Sequence, residues 1–242
     1  MPAAARFFWY RAACVIAAML CLLAFGAGID AALAHGIGGK DAQFVASTKS
    51  ADILPFMYLG AKHMVTGYDH ILFILGVIFF LYRLRDVLIY VTLFSIGHSI
   101  TLLAGVLMKI DINAYLVDAI IGVSVAYKAF DNLGGFKTVF GVQPNNKIAV
   151  AAFGLAHGFG LATKLQELRL RPDGLVVNMI GFNIGVEIGQ LIVLVIMLVI
   201  MLHWRRAASF ERFAVAANVL ILTAGFALME YQLAAYVGGV KV

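Results

Sequence analysis

Residues 63–73 read HMVTGYDHILF. They set His63, Asp69 and His70 at the mouth of an apolar run. The uninterrupted apolar part, 71–82, is too short to cross a bilayer, which takes about 20 helical residues. A spanning helix must therefore begin near residue 63. It then carries two imidazoles and a carboxylate into the outer part of the membrane. Burying such groups in hydrocarbon costs several kcal/mol each unless they are paired. The trio is thus expected to be functional rather than incidental.

The rest of the chain supports the membrane reading. It has 242 residues, 63% of them hydrophobic and 13% charged, with mean hydropathy +0.96. Soluble domains are about a quarter charged. The net charge of +5 is spread over short loops with no basic stripe, which excludes a nucleic-acid footprint. Apolar blocks predict six spans, at about 63–82, 86–108, 113–131, 148–165, 174–202 and 210–231. Pro55, Pro144 and Pro172 fall before or between them. The expected fold is all-α: one polytopic membrane helix bundle of six transmembrane helices (63–231), with a tail at 232–242.

The first 34 residues read as a secretory signal peptide. Arg6 and Arg11 form its positive end, an apolar core follows, and Ala32-Leu33-Ala34 is a cleavage site. Cleavage after Ala34 leaves His35 as the new amino terminus, heading a periplasmic segment, 35–62. Cys14 and Cys21 both go with the signal, so the mature chain has neither a disulfide nor a thiolate ligand. Six spans then put both mature termini on the periplasmic side of the bacterial inner membrane. The loops neither help nor hinder: eight Lys/Arg fall on each side.

Polar residues recur at one depth. At about 1.5 Å per residue, His70 lies roughly 10 Å in from the outer end of its helix, His98 roughly 15 Å and His157 roughly 12 Å. Asn183 and Glu187 lie roughly 13 and 20 Å in. A shared polar cavity accounts for all of them. Histidine with Asp or Glu, and no cysteine, is the ligand set of borderline divalent metals such as nickel, cobalt and zinc. Two further patterns bear on packing. FSIGHSITL (94–102) and FGLAHGFGL (153–161) echo each other around a histidine. Gly181, Gly185 and Gly189 repeat every four residues, opposite Asn183 and Glu187, and Gln190 extends the polar row.

His63 and His70 pose a geometric problem. On an ideal helix they sit about 10.5 Å apart along the axis, whereas two nitrogens on one ion can be no more than about 4 Å apart. Either the chain bends at Gly67 or the two serve successive sites.

HMVTGYDHILF resembles the H-x5-D-H signature of the HupE/UreJ family of hydrogenase and urease accessory membrane proteins. FSIGHSITL, FGLAHGFGLA and GFNIGVEIGQL resemble later blocks of that family's second branch. The likeness spans roughly 55–205. It implies a nickel or cobalt permease that feeds metalloenzymes, with His63, Asp69 and His70 as the matching first-helix metal residues. Tyr68 and Ile71 depart from the first branch, for which transport is best supported.

The expected function is transport of a divalent metal, nickel or cobalt ahead of zinc, into the cytoplasm. His63, Asp69 and His70 capture the ion, and His98, His157, Asn183 and Glu187 pass it on. The metal is substrate rather than cofactor. The bilayer and metalloenzyme maturation proteins are the expected partners. Nucleic acid and nucleotide are not, since no GxxxxGK[ST] motif occurs. One rival is a zinc-dependent intramembrane hydrolase acting on lipids, with Ser95, Ser99 or Ser124 nearby. The other is a metal-binding accessory subunit that transports nothing.

Overall fold

The structure is a computed structural model, and it describes residues 45, 51–167 and 173–238. The signal segment, its cleavage site, His35 and both cysteines lie outside the described residues. Among the described residues the secondary structure is helical. The elements are α1 (Ile53–Thr66), α2 (Tyr68–Ile78), α3 (Leu84–Leu107), α4 (Ala114–Asn132), α5 (Gly135–Phe140), α6 (Asn146–Glu167), α7 (Leu175–Arg206) and α8 (Ser209–Val237). Four of them, α3, α6, α7 and α8, are long and apolar enough to cross a membrane. α4 has 19 residues but includes Asp118, Lys128 and Asp131, and α2 has only 11 residues.

The first helix departs from the expected 63–82. It starts at Ile53, breaks at Gly67 and ends at Ile78. Pro55 is therefore the third residue of a helix rather than a residue before one. That position is tolerated because first-turn N–H groups have no intrahelical partner. The early start has a tertiary cause. Gly60 lies so close to the Phe182 carbonyl and the Val186 amide of α7 that a Cβ there would collide with both. At Gly181 and Gly189 a Cβ would come within 2.7 Å of the Ile53 carbonyl oxygen and 2.6 Å of the Ala61 carbonyl oxygen. Lipid offers little hydrophobic drive for helices to associate, so close backbone contact does that work.

The same device joins α3 to α6. A Cβ on Gly97 would lie 2.7 Å from the Ala151 carbonyl oxygen, and Gly154 and Gly158 sit against the backbone of Phe94 and His98. The two echoed motifs therefore pack side by side, in register and parallel. α1 and α7 are parallel too: Ile53 meets Gly181, Met57 meets Gly185 and Ala61 meets Gly189. α4 and α8 run antiparallel, with Gly122 against Met229 and Ala126 against Gly225.

α2 lies among these pairs. Its Phe73, Ile74, Val77 and Ile78 are buried, and Phe73 meets the rings of Phe94 on α3 and Phe153 on α6. Asn132 of α4 donates to the Gly76 carbonyl at 2.8 Å. Arg205, at the end of α7, donates to the carbonyls of Ile78, Phe79 and Leu81, satisfying the open end of α2.

Candidate metal centre

Gly67 builds the site. Its backbone is extended (φ −73°, ψ 104°), which ends α1 and starts α2 one residue later. The break folds back the seven-residue interval, and the His63 and His70 rings come to 5.1 Å between centroids. The axial conflict of a straight helix is thereby removed. Residue 67 must also be small. A Cβ would lie 2.9 Å from His70 Nδ1 and 3.1 Å from Asp69 Oδ1.

Asp69 and His70 follow in the first turn of α2. His70 Nδ1 and Asp69 Oδ1 are 3.0 Å apart, so the ring N–H donates to the carboxylate. That fixes the tautomer and leaves Nε2 with its lone pair. On α6, His157 Nδ1 lies 2.8 Å from the Phe153 carbonyl oxygen. A carbonyl can only accept, so here too Nδ1–H donates and Nε2 is left as the ligand atom. The orienting partner on the far nitrogen is the usual companion of a metal-binding histidine.

Three helices bring their imidazoles to one place. The His70 ring lies 5.0 Å from that of His157 and 6.0 Å from that of His98. His70, His98 and His157 are 2%, 1% and 1% exposed, and His63 is half-buried. One ligand atom each from Asp69, His70 and His157 lie within 4.8 Å of one another. A closed coordination shell needs about 4 Å, so a bound ion would draw this trio in by under about 1 Å. His70 Nε2, His157 Nε2 and both ring nitrogens of His98 are buried with no hydrogen-bond partner among the described residues. Orphaned buried polar atoms are costly, and a cluster of them calls for a ligand.

The other expected site residues are on α7. Asn183 is 8% exposed, and its Oδ1 is buried without a hydrogen-bond partner among the described residues. Glu187 is half-buried, and no described hydrogen bond, ion pair or ring contact joins it to the histidines. Asp118 forms an ion pair with Lys164 at 2.9 Å. His203 is exposed and donates to the Val199 carbonyl at 2.8 Å, beside a Trp204 that packs on Phe79 and Phe210. A surround that the sequence did not announce is aromatic. Phe73 and Phe94 lie against the imidazoles at 5.0–6.4 Å between ring centroids. The repeat of Phe four residues before histidine, at 94 and 98 and again at 153 and 157, was the available signal.

Comparison with known proteins bears on the same residues. Neither the curated proteins nor the solved structures returned a match. A family model described as HupE / UreJ protein (HupE_UreJ_2) matches residues 39–239, a stretch that includes every residue of the histidine cluster. The chain belongs to the HupE / UreJ family.

Proposed function

We propose that this chain carries a divalent transition metal, nickel or cobalt, across the inner membrane into the cytoplasm, and that His63, Asp69, His70, His98 and His157 capture it. The observation that carries the reading is the convergence of buried imidazole nitrogens with unmet bonding capacity, next to a carboxylate, within an apolar helical bundle. Family membership agrees with a metal-related role. The break in the first helix supports it as well. Helix ends at membrane depth are tolerated where they line a site.

On this reading α1 and α2 together make one crossing, and α3, α4, α6, α7 and α8 make five more. The directions of the packed pairs fit six alternating passes. Helices separated by an even number of passes, α1 with α7 and α3 with α6, run parallel, whereas α4 and α8 run antiparallel. Both mature termini are then periplasmic. Because Met57 meets Gly185 and Ala61 meets Gly189, Asn183 and Glu187 lie on the outer side of His63, on the approach to the cluster rather than beyond it.

The test is charge removal without loss of shape. Asp69→Asn deletes the anion that holds the His70 tautomer. We expect uptake of radiolabelled nickel or cobalt by cells, at matched membrane levels, to fall about 30- to 150-fold in apparent affinity, equivalent to about 2–3 kcal/mol. His70→Gln is expected to act in the same direction. Uptake by Asp69→Asn within about twofold of wild type would remove Asp69 from the metal site.

One observation favours a second reading. The ligands meet at one locus, as a zinc hydrolase requires, and Ser95, one turn from His98, has a buried hydroxyl with no partner among the described residues. Turnover of lipid amides or esters by purified, zinc-loaded protein would favour that enzyme. Tight metal binding with neither turnover nor uptake would favour an accessory subunit.

A further inference from the structure

A buried hydroxyl within a helix commonly bonds back to a carbonyl of the preceding turn. Thr101, Ser124 and Thr163 do so, donating to the carbonyls of Gly97, Ile121 and Gly160 at 3.0, 2.6 and 2.8 Å. Ser95 does not. It is 7% exposed, on α3, and its Oγ has no hydrogen-bond partner among the described residues.

One turn along the same helix, His98 is unmatched in the complementary way. His70 and His157 each have one ring nitrogen engaged, by Asp69 and by the Phe153 carbonyl. His98 has neither nitrogen engaged among the described residues. A neutral imidazole carries one N–H. His98 therefore has a buried donor to place, and Ser95 has a buried acceptor to offer. Residues three apart share a helix face. A helical side chain also leans back over the preceding turn, where Phe94 and Ser95 lie. The His98 ring does lie against Phe94, 6.1 Å between centroids and 28° from parallel.

The echo between the two motifs shows why a hydroxyl is needed on α3. On α6 the Phe153 carbonyl, four residues before His157, takes the ring N–H. On α3 the equivalent carbonyl is that of Phe94. It is pressed against Gly154, so closely that a Cβ there would collide with it. The glycine seam occupies the acceptor that His157 enjoys, and Ser95 is the next residue along.

We propose that Ser95 is the positioning residue of His98. When one ring nitrogen of His98 binds the ion, the other donates its N–H to Ser95 Oγ. The hydroxyl keeps its own proton for a carbonyl. Each of the three buried histidines then has an orienting partner, the arrangement that metal-bound imidazole generally keeps. The role rests on the metal-capture part of the proposed function and not on transport. It also differs from that of a hydrolase nucleophile, whose loss would spare metal affinity.

The test titrates purified full-length protein with nickel or cobalt. Ser95→Ala is expected to bind about tenfold more weakly, as when a partner behind a metal ligand is lost. Ser95→Thr keeps the hydroxyl and should bind within about threefold of wild type. In a His98→Ala background, Ser95→Ala should add less than about twofold, since it then has nothing to hold. Affinity of Ser95→Ala within about twofold of wild type would overturn the role. So would an equal loss in both backgrounds, which marks a merely structural serine. If His98→Ala binds as wild type does, there is no ligand to position, and the role falls while Asp69, His70 and His157 stand. Wild-type protein that binds neither ion would sink the metal reading and the role with it.

Discussion

Among the described residues, two clusters of buried polar groups can be set side by side, and they differ in how far their bonding capacity is met. One is the histidine centre. The other lies where the C-terminal half of α4 meets α6 and α8. There Asp131 accepts from Lys128 at 2.5 Å, Gln143 at 2.6 Å and Asn146 at 2.8 Å. Asn132 donates to Asn218 at 2.9 Å, and Asn218 donates to the Ala214 carbonyl at 2.9 Å. Lys128 and Asn218 are 7% and 1% exposed, as deep as the histidines. Burial alone therefore does not mark a working site. Unmet bonding capacity separates the two: Asp131 spends its acceptors on three protein donors, leaving Asn146 Oδ1 as the unpartnered atom beside it, whereas four imidazole nitrogens in the candidate centre have no hydrogen-bond partner among the described residues. The first pattern locks a fold, and the second leaves room for a ligand.

The contrast can be broken most decisively at Asp131. Asp131→Asn leaves the Lys128 ammonium buried without its counter-ion. Breaking a buried pair from one side costs about 3–5 kcal/mol. We expect that loss in chemical denaturation of the detergent-solubilised protein, with metal affinity of the folded fraction within twofold of wild type. A large fall in affinity with stability intact would mean that the two clusters are one functional unit.

Gly67→Ala probes the other cluster with a smaller effect. The backbone at residue 67 suits alanine, but the added methyl would meet His70 Nδ1 and Asp69 Oδ1. We expect about tenfold weaker metal binding by calorimetry, about 1.4 kcal/mol, with little change in unfolding. An unchanged affinity would show that Asp69 and His70 can shift without consequence. The smallest effect is expected at Thr101. It lies three residues from His98 and donates across to the Leu155 carbonyl at 2.8 Å. Thr101→Val should cost about 1 kcal/mol of stability and leave affinity alone. A fall in affinity would show that the fit of α3 on α6 also tunes the centre.

The sequence made some of this legible, and the reasons divide cleanly. Residues that are expensive in lipid announce themselves singly, so His70, His98 and His157 could be read without partners. Gly67 was legible because a straight helix from 63 to 70 contradicts shared ligation. The helix start was not. ILPFMYLGAK (53–62) carries a proline and a lysine, and its helicity is secured by Gly60 docking on residues more than a hundred positions away. The Lys128 network was hidden for the same reason: Gln143 and Asn146 are ordinary polar residues until folding brings them to Asp131, and Asn218 until it meets Asn132. Glu187 stood out in the sequence, yet its charge is half-exposed and outside the contacts of the cluster. A carboxylate's depth along a helix does not say which way the helix turns it.

The glycine seams divide the metal centre mechanically. α1 and α7 are held together by close backbone contact at Gly60, Gly181 and Gly189, whereas α2 is tied to α7 by Arg205 and to α4 by Asn132. α3 and α6 are held by Gly97, Gly154, Gly158 and Thr101. His63 rides on the α1–α7 pair, Asp69 and His70 on α2, and His98 and His157 on the α3–α6 pair. Distances within each pair are set by short, stiff seams. Those from His70 are set by how α2 rests on the two pairs. A slide of α2 by about 1 Å, ordinary for packed helices, would change the span from His70 to His63, His98 and His157 alike. Were an ion to bind there as proposed, its fit would be set by how these helices rest on one another as well as by the choice of side chain.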